Sequence, residues 1–166
     1  MAEIASIATQ STNAPVGMPK TEWEARCELA AAYRLCALYG WTDLNNTHLS
    51  LRVPGTRDHF LLNPFGMFFE EITASSLIKV DRDGNVLSET GYGMNLAGFV
   101  IHSAIHMSDP ELHYVMHTHS RYGVAVSMQA DGHFLRSCQQ AMTRFLCLYQ
   151  SALQFQQCVG HKRYSL

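Results

Sequence analysis

The sequence predicts a layered α/β fold with a mixed sheet. Three observations lead to this prediction: helical periodicity early in the chain, short alternating strands in the middle, and a strand between two helical patterns near residues 113–118. Strands that are followed by alternating helices and strands are typical of a sheet covered by helices. With 166 residues, the chain is long enough to form one domain around a single core.

The composition is that of an ordinary globular protein. Apolar residues make up 47% of the chain, charged residues 16%, and the formal net charge is −2. No basic excess suggests a nucleic-acid partner, and no apolar run approaches the roughly 18 residues of a membrane span. The five cysteines are odd in number and form no C-x-x-C pair, which favours reduced thiols. Because no secretory signal is evident either, we expect a cytoplasmic protein.

The first predicted element is a helix. Residues 1–19 are small and polar, so we expect a disordered leader. Thr21 and Glu24 have the spacing of a capping box, which predicts a helix that runs to Tyr39 and stops at Gly40. Its predicted apolar face consists of Leu29, Ala30, Tyr33, Ala37 and Leu38.

A meander of short strands follows. His48 to Val53 alternates polar and apolar residues, which predicts a strand with one buried face. Phe60–Leu62 is its predicted hairpin partner, and Asn63-Pro64-Phe65-Gly66 forms a turn in which proline fixes φ and glycine permits a positive φ. A third strand is predicted at Leu77–Val80, before a polar turn.

The second half alternates between helix and strand. A helix is predicted from Asn95 to Met107, a strand from His113 to Thr118, and a further helix from Arg121 to Met128. The apolar side of the first of these helices is predicted to contain Leu96, Phe99, Val100 and Ala104. In the tail, the Ser137-x-x-Gln140 spacing suggests a helix that carries Phe145 and Leu148.

His117 and His119 are the best candidates for metal ligands. Alternate residues on a strand point to the same face, so the two imidazoles can share one cation, although the H-x-H pattern also occurs on plain strands. Zinc needs three or four ligands, so the pair requires a partner. His102 and His106 are spaced i, i+4 on a helix without a zincin glutamate, and we interpret one as packed and one as exposed. The other histidines are isolated and are interpreted as surface or core residues: His48, His59, His113, His133 and His161.

Four segments occur in a characteristic order: GWTDLNNTHLSLRVPG at 40–55, HFLLNPFG at 59–66, EITASSL at 71–77 and MHTHS at 116–120. Together they resemble the class II aldolase/adducin N-terminal domain family. The resemblance implies a three-layer α/β/α fold with a central mixed, largely antiparallel sheet. It covers residues 20–132 as the domain and leaves 133–166 as a divergent C-terminal segment, so we expect the fold to be incomplete at its C-terminus.

The resemblance also implies a site. In the enzymes of the family, His117 and His119 would be ligands of a divalent metal, usually zinc, which polarises substrate oxygen atoms during aldol cleavage. It further implies that Asn46, Asn63 and Gly66 bind the small-molecule substrate and that the protein forms a homotetramer.

Three features depart from the pattern of the family's enzymes. No segment resembles the Asn-His-Gly that would supply a third histidine, Met94–Phe99 lacks the acid–base glutamate, and Phe65 replaces a hydroxyl in the phosphate loop. The third metal ligand and the catalytic residues therefore stay unassigned. The favoured function is a metal-binding, aldolase-like or decarboxylase-like lyase for a small hydroxy-carbonyl or carboxylate compound. The alternatives are a non-catalytic adducin-like domain for assembly or actin association, and an inactive truncated remnant.

Overall fold

The computed structural model describes residues 13–44, 46–88, 91–127 and 145–148, and all structural statements concern these ranges. The expectations for residues 1–12 and for most of the tail beyond 127 lie outside them. The described elements, in chain order, are α1 (Lys20–Leu38), β1 (His48–Arg52), β2 (His59–Leu62), a 3₁₀ helix (Phe69–Glu71), β3 (Ile78–Asp81), α2 (Leu96–Ser108), β4 (Tyr114–His117), α3 (Arg121–Ser127) and β5 (Phe145–Leu148).

The described strands form one sheet in the order β3-β2-β1-β4-β5. Three of the four pairings are antiparallel, and β4 pairs with β5 in parallel. The predicted mixed, largely antiparallel sheet is therefore confirmed. The strand at Phe145–Leu148 corrects the expectation of a helix there. β1 is the central strand, and its first residue, His48, lies opposite His117 of β4.

Helices cover both faces of the sheet, which gives the predicted three layers. On one face, α1 and the 3₁₀ helix pack on β1 and β2, and the core includes Leu29, Tyr33, Leu49, Leu61 and Phe69. On the other face, α2 contacts β1 and β4, and its Phe99 joins a second apolar cluster with Phe60, Leu62, Ile78 and Val80. The central strand is therefore enclosed from above and below.

The prediction for α1 is wrong at the N-terminal end of the helix and correct at the C-terminal end. The helix begins at Lys20 behind Pro19 without any side-chain cap, so the predicted capping box at Thr21 is wrong. At the other end, Gly40 has a φ of +66°, and the amides of Gly40 and Trp41 bond the carbonyls of Ala37 and Cys36 at 3.0 and 2.9 Å. This pair of bonds is a Schellman motif, which confirms Gly40 as the stop. Leu38, predicted to be buried, is exposed.

The orientation of α2 is the main correction to the sequence prediction. The helix is capped by Asn95, whose side chain accepts from the amide of Gly98 at 3.1 Å. Leu96 and Val100 are 65% and 56% exposed, whereas His102 and His106 are each 1% exposed. Both histidines are therefore packed, and the interpretation of one as exposed is wrong.

The same packing corrects the prediction for β1. All five of its residues are buried, including the polar His48, Ser50 and Arg52 that were expected on an open face. These side chains lie beneath α2, so a polar layer forms between the helix and the sheet. In the described part of the chain, no helix is both long and apolar enough to cross a membrane.

Candidate metal site

The imidazoles of His117 and His119 face each other at the end of β4. The strand ends at His117, one residue before the predicted end at Thr118, and His119 lies two residues beyond it. Their Nε2 atoms are nevertheless 3.1 Å apart. Two nitrogens bound to one tetrahedral zinc at the usual bond length lie about 3.3 Å apart. The spacing therefore fits two ligands of a single cation.

A separate partner holds each ring at its other nitrogen. His119 Nδ1 lies 2.8 Å from a carboxylate oxygen of Asp43, and this hydrogen bond holds the pKa of Asp43 below its usual range. His117 Nδ1 lies 3.3 Å from His48 Nδ1. A carboxylate behind a histidine is a common support for a metal ligand because it fixes the orientation of the ring. Both Nε2 atoms are therefore aimed at the same point.

His48 is itself one link in a buried series of hydrogen bonds. Its Nδ1 lies 3.3 Å from His102 Nε2, and His102 Nδ1 lies 2.6 Å from the hydroxyl of Ser50. The same hydroxyl lies 2.8 Å from His106 Nε2, and His106 Nδ1 lies 3.0 Å from the carbonyl of Leu112. We call this series the histidine chain; its members, from one end to the other, are Leu112, His106, Ser50, His102, His48, His117, His119 and Asp43.

Burial keeps the central imidazoles neutral. Desolvation lowers the pKa of His48, His106 and His117 to about 4 in each case. Desolvation, with the neighbouring histidines, also lowers the pKa of the fully buried His102 well below its usual value. At neutral pH each of these rings therefore carries one proton, donating through one nitrogen and accepting through the other.

The described residues bring two potential metal ligands together, which is fewer than a metal centre requires. Within residues 13–44, 46–88, 91–127 and 145–148, no three His, Cys, Asp or Glu side chains converge on one metal position. A catalytic zinc usually has three protein ligands. The donor chemistry, the nitrogen spacing and the supported rings of His117 and His119 fit a divalent metal, and a third protein ligand is not among the described residues.

The residues implied in substrate binding differ in accessibility. Asn46 is exposed, and its backbone N–H donates to the backbone carbonyl of Asp43 at 2.9 Å. The side chain of Asp43 is the partner of His119. Gly66 is exposed with a φ of +87° and open space beside its Cα. Asn63, by contrast, is buried, and its side-chain oxygen accepts from the Tyr33 hydroxyl at 2.9 Å. Asn46 and Gly66 are thus open to solvent, whereas Asn63 is held inside the fold.

The predicted phosphate loop lies beside the entry to α2. The amide of Phe65 bonds the carbonyl of Gly93 at 2.9 Å, and Pro64 forms a bridge with Met94. Gly98 is the third residue of α2, and the ring of His48 fills the space beside it. The loop, the start of α2 and the histidine chain are therefore connected by direct contacts.

Several residues of this site were not identified from the sequence: Asp43, His48, Ser50, His102 and His106. One signal was available for the helix, since Leu96–Ser108 contains two histidines at i, i+4 and no Asp, Glu, Lys or Arg. A helix without charged residues is often buried on more than one side. Asp43 and His48 gave no comparable local signal, because their partners are distant in sequence.

Comparison with known proteins identifies the family. The family model described as "Class II Aldolase and Adducin N-terminal domain" matches residues 27–156. The chain belongs to this family. The structure agrees with this assignment: an aldolase II superfamily protein from Pseudomonas syringae, 56% identical, superimposes with a TM-score of 0.67 over 70% of this chain and 47% of that one.

The similar proteins include both aldolase class 2 proteins and adducins. A putative aldolase class 2 protein of Caulobacter vibrioides is 59% identical over 113 residues, which cover 68% of this chain and 44% of the relative. Rat alpha-adducin is 42% identical over 119 residues, which cover 70% of this chain and 16% of the adducin. The matched part therefore corresponds to less than half the length of either relative.

Proposed function

We propose that this family member binds a divalent cation, zinc in the first instance, through Nε2 of His117 and Nε2 of His119. The observation that carries the proposal is the 3.1 Å separation of these two nitrogens, with each ring supported from behind. Membership of a family that includes metal-dependent aldolases supports it.

We further propose lyase chemistry on a small hydroxy-carbonyl or carboxylate compound. A bound cation supplies Lewis-acid polarisation of carbonyl and hydroxyl oxygens. Asp43 and His48 keep the two imidazoles in place, and the exposed Asn46 and Gly66 are the residues available to contact a substrate. We assign no residue to proton transfer, because α2 contains no carboxylate.

Metal content tests the first part of the proposal. The purified protein should contain close to one equivalent of metal by elemental analysis after loading with zinc and removal of the excess. The double substitution His117→Ala, His119→Ala should abolish this binding. His59→Ala is the matched control, since His59 is a partly buried histidine outside the pair. An unsubstituted protein without bound metal contradicts the proposal.

A second candidate is an adducin-like role in assembly or actin association. Two observations favour it: the 42% identity to alpha-adducin, and a start of α2 at which Gly98 is packed against His48 where the family's enzymes carry an acid–base glutamate. Co-sedimentation with actin filaments tests it. Protein that stays in the supernatant at filament concentrations well above its own contradicts the actin association.

Oligomeric state, location and domain limits complete the proposal. We propose a homotetramer in the cytoplasm, with residues 20–132 as the aldolase/adducin-like unit and β5 as a strand that the C-terminal segment adds to its sheet. Sedimentation equilibrium of the full chain gives its mass in solution, and a monomer at all concentrations contradicts the tetramer. Limited proteolysis that cuts first within 133–166, and not inside 20–132, supports the domain limits.

A further inference from the structure

One end of the histidine chain fixes the direction of its hydrogen bonds. The carbonyl of Leu112 can only accept, so a neutral His106 carries its proton on Nδ1 and accepts at Nε2. The Ser50 hydroxyl therefore donates to His106 and accepts from His102 Nδ1. His102 Nε2 is then an acceptor, and the proton in its contact with His48 belongs to His48 Nδ1.

The direction of the hydrogen bonds extends from His48 to His117 and His119. His48 Nδ1 directs its proton between His102 and His117, so His117 Nδ1 is an acceptor and His117 carries its own proton on Nε2. That proton faces the free Nε2 of His119, whose Nδ1 proton is donated to Asp43. In this direction, every donor in the series faces an acceptor.

We propose that the histidine chain holds His117 in the tautomer that has its proton on Nε2, and that His106 thereby weakens metal binding at the pair. The tautomer stands independently, whereas the effect on metal binding rests on the proposed function. A metal ligand must present a lone pair at Nε2, so binding moves the proton of His117 to Nδ1. There it meets the N–H of His48. Metal binding therefore breaks the hydrogen bond between His48 and His117, in addition to the contact between the two Nε2 atoms, which the metal replaces.

The substitution His106→Phe should reverse the direction of the hydrogen bonds in the histidine chain, and it leaves His117 and His119 unchanged. The ring of His106 stacks on Phe60 with centroids 4.8 Å apart and planes 12° apart, so an aromatic ring suits the position. Without an acceptor at position 106, the Ser50 hydroxyl donates to His102 Nδ1. His102 then donates from Nε2 to His48 Nδ1, which no longer carries a proton, and the Nδ1 proton of His117 shares the lone pair of this atom. The Nε2 of His117 is left free for a metal.

Two measurements on the full chain test this inference. In the metal-free protein, long-range proton–nitrogen correlation spectra of the histidine rings identify the protonated nitrogen of His117. We expect Nε2 in the unsubstituted protein and Nδ1 in His106→Phe. Calorimetric titration with zinc should then give a Kd about tenfold lower for His106→Phe, which corresponds to the gain of one hydrogen bond.

Controls separate this inference from a general effect of substitution. His59→Phe makes the same change outside the histidine chain and should alter neither His117 nor the zinc Kd. Ser50→Ala removes the hydroxyl that links His106 to His102. It should increase the fraction of His117 that carries its proton on Nδ1. This variant tests the inference if His106→Phe does not fold.

Each outcome is decisive. A proton on Nδ1 of His117 in the unsubstituted metal-free protein overturns the inference, as does an unchanged or higher zinc Kd in a folded His106→Phe. If the unsubstituted protein and His106→Phe both bind no zinc while the spectra give Nε2, the tautomer assignment stands and the proposed metal function is overturned.

Discussion

The imidazole of His48 fills the space in which a Cβ atom on Gly98 would lie. A Cβ built there would be 3.0 Å from Cγ of His48 and 2.8 Å from its Cδ2, and folded proteins essentially never show the shorter separation. His48 cannot retreat, because its ring also contacts His102 and His117. Glycine at the start of α2 and histidine at the start of β1 therefore depend on each other.

Gly98→Ala should destabilise the protein. In an open helix this change stabilises by roughly 1 kcal/mol, but here overpacking against a fixed ring costs about 1–3 kcal/mol, so the net free energy of unfolding should fall. Urea denaturation measures the change. Gly93→Ala is the control, because a Cβ at position 93 meets no atom within 4 Å and its φ is not positive. Equal stabilities of the two variants would contradict the packing described for His48.

Tyr33→Phe should lower the free energy of unfolding by about 1–3 kcal/mol. The buried hydroxyl of Tyr33 accepts from the amide of Leu49 at 2.9 Å and donates to Asn63 at 2.9 Å, so its removal strands a backbone donor of the central strand. Tyr122→Phe, at a position that is 83% exposed, should have no effect. Thermal and urea unfolding of both variants check this prediction, and similar losses in the two would count against it.

Asp43→Ala should weaken zinc binding by about 10- to 100-fold, the usual effect of removing the partner that orients a metal-binding histidine. The relevant contact is the 2.8 Å hydrogen bond between Asp43 and His119. Calorimetric titration gives the Kd, with Asp58→Ala as a control at a partly exposed carboxylate that neighbours His59 instead. An unchanged Kd in Asp43→Ala would mean that His119 does not need this support.

The stability of the metal-free protein should fall steeply in mild acid. Burial lowers the pKa of His106 and of His48 from 6.5 to about 4, and unfolding restores the usual value. Between these two pKa values the unfolded chain binds more protons than the native one, so the free energy of unfolding rises with pH. The contribution, about 3 kcal/mol per group, is complete above the unfolded pKa and is lost as pH falls through the folded one. Urea denaturation in chelator at about pH 5 and about pH 7 measures it, and His106→Phe should reduce the dependence.

The sequence predicted those parts of the fold that local rules determine. The hairpin of β1 and β2, the stop of α1 at Gly40 and the presence of a helix after Asn95 depend on neighbouring residues, and the structure has all three. The start of α1 failed because the capping-box pattern at Thr21 is also compatible with the interior of a helix. Tertiary packing, rather than a cap, holds that end.

The orientation of α2 could not be read from its own residues. Hydrophobicity places Leu96 and Val100 inside and leaves one of the two histidines exposed, but His102 and His106 both find buried hydrogen-bond partners because β1 presents Ser50 to them. A buried polar group is tolerated when it is paired, and the pairing residue lies 52 positions away from His102 and 56 from His106. The sequence identified His117 and His119 because these two residues are close together in it. It did not identify Asp43 and His48, which support the two rings, because they are distant in sequence.

The separations within the histidine chain also bear on how the molecule folds. Its contacts from β1 join residues that are 52 to 69 positions apart, so they can form only after β1 and β4 have paired and α2 has docked. Because closing such long loops costs entropy, these contacts form late in folding, when most of the chain is already in place. A newly made segment that contains only the H-T-H sequence would hold a cation by two unsupported imidazoles. The proposed affinity of the pair for metal would therefore measure how completely the chain has folded.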